Sequence, residues 1–342
     1  MNILLTGGAG YIGSHTAVAL VGAGHTPFIF DNFSNSHYEV ISRIEKITNK
    51  SLSCTIGDAS NAQELIQVLK AFEIDAVIHF AAFKSVSDSV QNPIKYYKNN
   101  MSSFLGLVEA MDSVDCKRLI FSSSCTVYGE PKVFPVIESS PLGYVNPYGH
   151  TKLMAEEVLQ SLSKYDQKWR VGVLRYFNPA GAHESGLIGE DSIGNNSNLM
   201  PLIAQVASGI RDHIKVYGGD YPTIDGSAVR DYLHVMDVAE GHVASLKYLI
   251  EKGPHAVNLG RGIGTSVIEM LLAYEIACGR SIPYQIAGRR LGDVPISFAN
   301  PALAERLLGW RATRSLIDMC SSSWKWQLTN PFGYKGASEV SS

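Results

Sequence analysis

The chain of 342 residues has five cysteines, Cys54, Cys116, Cys125, Cys278 and Cys320, and no CxxC pair. An odd number at wide spacing argues against a disulfide framework and against a zinc site. The ten histidines lack metal-ligand spacing, and His79 in the apolar run AVIHFAA reads as a satisfied core residue. No metal is therefore expected. No apolar stretch approaches the roughly 18 residues needed to cross a bilayer. No long basic run occurs and the formal net charge is −3, so neither nucleic acid nor a membrane is an expected partner. The N-terminal MNILLTGGAG has no cationic segment. A secretory signal is not expected there, and a cytoplasmic location is. Repeats and low-complexity tracts are missing too.

What is present is an ordinary globular composition, 45% hydrophobic and 18% charged. The length points to two domains, or one large domain with a lobe attached. Apolar runs recur at 2–6, 27–31, 53–58, 76–82, 118–124 and 170–178. Helical patterns fall between them, near 11–24, 37–48, 60–72, 92–113 and 148–165. Continuous apolar strands separated by helices predict an α/β fold with a parallel sheet covered on both faces. From residue 178, NPAGAHESGLIGEDSIGNNSN has little periodicity. A loop of that length inside a compact protein is usually functional. Shorter elements follow, ending in a helix near 315–328. The expected division is a dinucleotide domain over 1–178 of the doubly wound Rossmann type, with a return segment near 230–252. A smaller mixed α/β substrate lobe over 179–332 and a flexible tail over 333–342 complete it.

LLTGGAGYIG places Gly7, Gly10 and Gly13 between a strand and a helix. Glycines there allow a tight turn and let the backbone approach a pyrophosphate at the positive end of the helix. No Lys-Ser/Thr follows Gly13, which excludes a Walker A loop. Asp31 ends the second strand, where a carboxylate accepts the hydroxyls of an adenosine ribose and repels a 2′-phosphate. The following NFSNSH offers no arginine, so NAD is favoured over NADP. Asp58, after the third strand, is either an adenine contact or the N-cap of the helix at 60–72.

NPYGHTK, 146–152, carries Tyr148 and Lys152 at helical i, i+4 spacing. Alone it reads equally as amphipathic helix. With a nicotinamide cofactor it becomes a proton-transfer pair, the lysine cation lowering the tyrosine pKa from its usual value of about 10. FSSSCTVYG ends a strand in hydroxyls, at the sheet edge where ligands of open α/β folds bind.

The series TGGAGYIGSH, VIHFAAFKSVSDSV, FSSSCTVYG, NPYGHTKLMAE, LRYFNPAGAH, NLMPLIAQVA, VRDYLHVMDVAEGHV and RRLGDVP resembles the UDP-hexose 4-epimerases of the extended short-chain dehydrogenase/reductase superfamily. The similarity runs from residue 1 to about 332. Related nucleotide-sugar dehydratases carry an Asp-Glu pair before V-Y, whereas this chain has Ser124-Cys125-Thr126. The resemblance therefore implies reversible oxidation at sugar C4, through a 4-keto intermediate and transient hydride transfer to bound NAD. UDP-glucose and UDP-galactose are the implied substrates.

The resemblance gives catalytic roles to Ser124, Tyr148 and Lys152. It implies cofactor contacts at Gly7, Gly10, Tyr11, Ile12, Gly13, Asp31, Asn32, Asn35, Ser36, Asp58, Ala59, Phe80, Ala81, Ala82, Lys84, Asn99 and Phe177. Substrate contacts are implied at Asn178, Asn198, Leu199, Tyr217, Arg230, Arg290, Asp293 and Ser297. Taken without it, Lys84 reads as a solvated loop charge, and Arg230 with Asp231 as a surface ion pair. Ser297 replaces a tyrosine frequent in the family; the smaller side chain leaves room for an N-acetyl group, so the N-acetylated UDP-hexoses are expected substrates too. A hexuronate epimerase, using Lys84 and His150 as extra cations, is the competing enzyme reading. A homodimer through the helices at 92–113 and 148–165 is implied as well.

Overall fold

The computed structural model describes residues 1–191, 193, 198–290 and 292–335. The first half alternates β1 (Asn2–Thr6), α1 (Tyr11–Gly22), β2 (Thr26–Asp31), α2 (Glu39–Thr48), β3 (Ser53–Ile56), α3 (Ala62–Ala71) and β4 (Ala76–His79). It continues with α4 (Val86–Gln91), α5 (Pro93–Ser113), β5 (Arg118–Ser124), α6 (Pro147–Tyr165) and β6 (Arg170–Tyr176). Then come β7 (Asn178–Ala180), α7 (Leu199–Ala207), β8 (Ile214–Tyr217), β9 (Val229–Arg230), β10 (Tyr232–His234), α8 (Val235–Glu251) and β11 (His255–Leu259). The last elements are β12 (Thr265–Ser266), α9 (Val267–Cys278), β13 (Tyr284–Ala287), β14 (Ile296–Ser297), α10 (Ala302–Leu308) and α11 (Leu316–Thr329).

Seven parallel strands form the main sheet in the order β11-β6-β5-β4-β1-β2-β3. Side chains alternate across it. Ile3 and Leu5 join one apolar layer with Leu20 and Leu246, while Leu4 joins the other with Phe30, Phe104 and Trp169. The connections run outward from β1 to β3, then cross back to β4 and continue the other way. Loops at the carboxyl ends of β1 and β4 therefore diverge and leave a crevice, where open α/β sheets bind ligands. Residues 235–259 return to this layer: α8 packs along α1 and β11 extends the sheet beside β6. A third apolar cluster, with Ile203, Val216, Tyr232, Met270 and Met319 in it, lies under the remaining short strands and helices.

Under α6 runs a buried polar network. Arg175 Nη2 meets Glu156 Oε2 at 2.6 Å and its Nη1 donates to the Tyr128 hydroxyl at 3.0 Å. That hydroxyl donates to Asn258 Oδ1 at 2.7 Å. The network joins α6 to β6 and β11, so the helix bearing Tyr148 and Lys152 is fixed to the sheet.

Two local readings are corrected. Asp58 is not the cap of α3: Asn61 accepts the N–H groups of Gln63 and Glu64, and Asp58 instead accepts from Ser60 N and from Asn32 Nδ2. Within the segment expected as a flexible tail, Tyr334 is packed, while Gly333 is half-buried and Lys335 exposed. Tyr334 is buried, its hydroxyl accepts from Gly189 N at 3.0 Å, and its amide donates to Asp191. Its apolar ring has a place to bury against Trp326. The rest of the expected tail, 336–342, lies outside the described residues. The short α4 was not foreseen either, because six residues are too few to show a helical period; Ser85 caps it by accepting from Asp88 N.

The β1–α1 turn is built from direct backbone contact. Gly7 has φ +69°, and a Cβ there would stand 2.6 Å from Ala81 N. A Cβ on Gly13 would stand 2.6 Å from Gly7 O and 2.7 Å from Gly8 Cα. Both neighbours are backbone and have no rotamer by which to yield. Gly13→Ala is expected to cost about 1–3 kcal/mol, read from the urea midpoint, and to strip bound NAD on gel filtration. Unchanged stability together with full NAD retention would show that the turn tolerates the methyl group.

Candidate active site

A cavity of about 450 Å³ opens along the carboxyl edge of the main sheet, within the size range of small-molecule sites. The glycine turn, with Gly7, Gly10, Tyr11, Ile12 and Gly13, lines it. So do the exits of β2 (Asp31, Asn32, Asn35, Ser36), β3 (Asp58, Ala59) and β4 (Phe80, Ala81, Ala82, Lys84), with Asn99 of α5. Ser124, Tyr148, Lys152, Phe177 and Asn178 line its middle stretch of chain. Asn198, Leu199, Tyr217, Arg230, Arg290, Asp293 and Ser297 complete the lining. All the residues expected from sequence to serve catalysis, cofactor or substrate thus share one cavity, His150 of the competing hexuronate reading excepted.

The glycine turn fits a pyrophosphate on its own geometry. The N-cap of α1 is Gly10, no side chain caps the helix, and its first turn holds no acidic residue. The first N–H groups are therefore left for an anion. Asp31 accepts from Ala9 N at 3.0 Å through Oδ2, and from Phe33 N and the Ser36 hydroxyl through Oδ1. Burial raises its carboxyl pKa, and these donors pull it back. Oδ2, with a single donor, keeps a lone pair for a ribose hydroxyl. These residues fit NAD, and no arginine stands in residues 32–38 to hold a 2′-phosphate.

Tyr148 and Lys152 sit in the first turns of α6. Pro147 occupies N1, and the buried Asn146 accepts from Gly149 N at 2.8 Å as the N-cap. The expected lowering of the Tyr148 pKa takes the lysine cation and the nicotinamide ring together; the protein groups alone raise it. Burial pushes the phenol up to about 12, the hydrogen bond from Ser124 opposes this, and Cys125 adds to it. Burial also drives the Lys152 amine down to about 8, opposed by Glu156. Its Nζ donates to Ser122 O at 2.7 Å. Desolvation moves both groups toward neutrality.

The Arg230–Asp231 pair is not a surface ion pair. Asp231 is fully buried and its carboxylate accepts from the backbone of Arg261, Gly262 and Ala299 at 2.9–3.1 Å. Burial still raises it to about 6, against those donors. Arg230 donates to Val229 O at 2.9 Å and faces the cavity. Arg290 and Asp293 bond to each other through two contacts, 2.9 and 3.0 Å, with the guanidinium over the Tyr217 ring. Three of the five guanidinium N–H groups remain for a ligand.

Lys84 is exposed at 38% of its side chain, yet it is not unpaired. Its Nζ meets Glu190 Oε1 at 2.6 Å, and Asn198 Nδ2 donates to the same oxygen. The sequence alone does not single out Glu190, because its loop also holds Glu184 and Asp191. Asn146 was missed too, although Asn-Pro before a helix is a start signal. His150 does not line the cavity: it bonds Tyr97 and stacks on Tyr144. Of the two cations considered for a hexuronate, His150 stands outside the cavity, and Lys84 lines it already paired with Glu190. Burial pushes the Cys125 thiol up to about 11, which leaves it a small packing residue. His79 bonds Thr6 at 2.7 Å, and burial lowers it to about 3. No group that could hold a metal is present among the described residues. Among them, no helix is long and apolar enough to cross a membrane.

The family model described as NAD dependent epimerase/dehydratase matches residues 3–260. A UDP-glucose 4-epimerase of Bacillus subtilis is 51% identical over 338 residues, 98% of this chain and 100% of that one. A UDP-glucose 4-epimerase of Dictyostelium discoideum is 50% identical, with 97% of each chain covered. The crystal structure of UDP-glucose 4-epimerase from Bifidobacterium longum in complex with NAD+ and UDP superposes with a TM-score of 0.95. Its identity is 46%, over 97% of this chain and 100% of that one. The family match runs from β1 to the last strand of the main sheet and the relatives match end to end, so the chain belongs to the NAD dependent epimerase/dehydratase family.

Proposed function

We propose that this chain interconverts UDP-glucose and UDP-galactose by reversible oxidation at sugar C4, with NAD as resident cofactor. One observation carries the reading: Ser124, Tyr148 and Lys152 line the same cavity as the glycine turn, and residues 125–127 supply no carboxylate for eliminating water. NAD, when bound, supplies the hydride acceptor and donor. Gly7, Gly10 and Gly13 would hold its pyrophosphate, Asp31 its adenosine ribose and Lys152 its nicotinamide ribose. Asn32, Asn35, Ser36, Asp58 and Ala59 border the adenosine, and Phe80, Ala81, Ala82, Lys84, Asn99 and Phe177 the rest.

Tyr148 takes the proton of the C4 hydroxyl as the alcohol becomes a 4-keto sugar. It returns the proton when the ketone is reduced from its opposite face. Ser124 bonds both the phenol and the reacting oxygen. Lys152 in its cationic form favours phenolate, which the buried phenol lacks on its own. Arg230 and Arg290 hold the diphosphate, Asp293 the uridine ribose, and Asn178, Asn198, Leu199 and Tyr217 flank the nucleotide sugar. Fixing only the parts common to both epimers leaves the sugar free to turn. In this reading residues 1–178, with the return at 230–252, carry the cofactor and 179–332 the substrate.

Incubated with UDP-galactose and no added NAD, the purified protein is expected to yield UDP-glucose. Tyr148→Phe should keep NAD and lower turnover by about 10²–10⁴-fold; full activity in that variant would remove Tyr148 from its role.

Ser297 is buried and lines the cavity, so we infer room for an N-acetyl group at C2. Ser297→Tyr should lower turnover of UDP-N-acetylgalactosamine relative to UDP-galactose. An unchanged ratio would show that this residue does not set the choice.

We also infer a cytoplasmic homodimer. The five cysteines are free, as suits a reducing compartment, and α5 exposes Ile94 and Leu105, which a second copy would cover. Sedimentation equilibrium should return twice the chain mass of 37.2 kDa; a single chain mass at micromolar concentration would refute the dimer.

A further inference from the structure

Two buried polar residues, one on the helix that bears Tyr148 and one on its neighbour α5, have no part in the chemistry above. Asn100 of α5 and Thr151 of α6 are 5% and 1% exposed. The Thr151 hydroxyl donates to the carbonyl of Tyr148 at 2.8 Å and accepts from Asn100 Nδ2 at 3.0 Å. Asn100 Nδ2 also donates to Phe83 O at 3.1 Å. Asn100 Oδ1 accepts from Phe83 N at 2.8 Å and from Asn99 Nδ2 at 3.0 Å. Both amide hydrogens and both carbonyl lone pairs are thus engaged, the full capacity of this side chain.

A threonine bonded back to the carbonyl three residues earlier is common in helices and is structurally idle by itself. Here the same oxygen is also tied to the exit of β4. Phe83 lies between Ala82 and Lys84, both of which line the cavity. Tyr148 lies at the other end of the link. The path Phe83–Asn100–Thr151–Tyr148 therefore spans from the cofactor wall to the proton-transferring residue, through bonds of 2.8–3.1 Å. Apolar packing between α5 and α6 alone would permit small slides along the helix axes. Directional bonds from a saturated amide do not, because any slide leaves a buried polar group unpaired, at about 1–3 kcal/mol each.

We propose that Asn100 and Thr151 are positioning residues for the epimerisation: they set Tyr148 against the cofactor wall formed by residues 80–84. The inference rests on the catalytic reading of Tyr148 given above. Arg230, Arg290 and Asp293 are not part of the link, so substrate affinity is separable from it.

The test is Thr151→Val, which keeps the shape and removes the hydroxyl, assayed on NAD-loaded protein with UDP-galactose. A misplacement on the order of 1 Å costs up to about 10²-fold. The expected result is a kcat lower by about 10- to 100-fold, with KM changed by less than about threefold and Thr151→Ser restoring kcat. Adding Asn100→Ala to Thr151→Val should cost less than the product of the two separate losses, because both cut one path. An unchanged kcat in the valine variant would overturn the proposal, as would a rise in KM alone or failure of serine to rescue. If the valine variant does not fold, comparing Thr151→Ala with Thr151→Ser asks the same question of the hydroxyl. Absence of turnover in the parent protein would instead sink the epimerase reading itself.

Discussion

Gly13 meets the carbonyl of Gly7, and Gly7 meets the amide of Ala81, at separations where a Cβ would stand 2.6 Å from backbone. This contact joins the exits of β1 and β4, the two central strands between which the winding of the sheet reverses. α1 can begin directly at the sheet edge only because nothing projects from the turn. Its uncapped amides then point into the crevice, and β4 delivers Phe80 to Lys84 to the same space. β5 and α6 follow next in order, which brings Ser124, Tyr148 and Lys152 to the adjacent stretch of the crevice.

Burial creates the problem that the chemistry must solve. It raises Tyr148 to about 12 and lowers Lys152 to about 8, so each group resists its charged form. An opposite charge brought close to either group would offset its penalty. Elsewhere the same tension is met by backbone donors, as at Asp231, or by a direct partner, as at Lys84 with Glu190.

Much of this was legible in the sequence, for local reasons. Buried parallel strands are continuous apolar runs, so β1 and β5 could be placed to the residue. The glycine turn and the Tyr148–Lys152 spacing carry their geometry in a few adjacent positions. What escaped depends on distant partners. Glu190 is defined by Lys84, more than a hundred residues away, and Asp231 by amides from two other loops. Neither partnership leaves a periodic trace. Asp58 could be read either as a cap or as a ligand contact; Asn61 took the cap because its side chain reaches the amides of Gln63 and Glu64.

Tyr334 closes the loop that carries Glu190: its hydroxyl bonds both the amide and the carbonyl of Gly189, its own amide bonds Asp191, and its ring lines the cofactor cavity. The far end of the chain is thus stitched to the wall that braces Lys84. Protein engineering at this end has to respect the stitch. Shortening the chain back through Tyr334 would remove its bonds to Gly189 and Asp191 and one wall of the cavity with them.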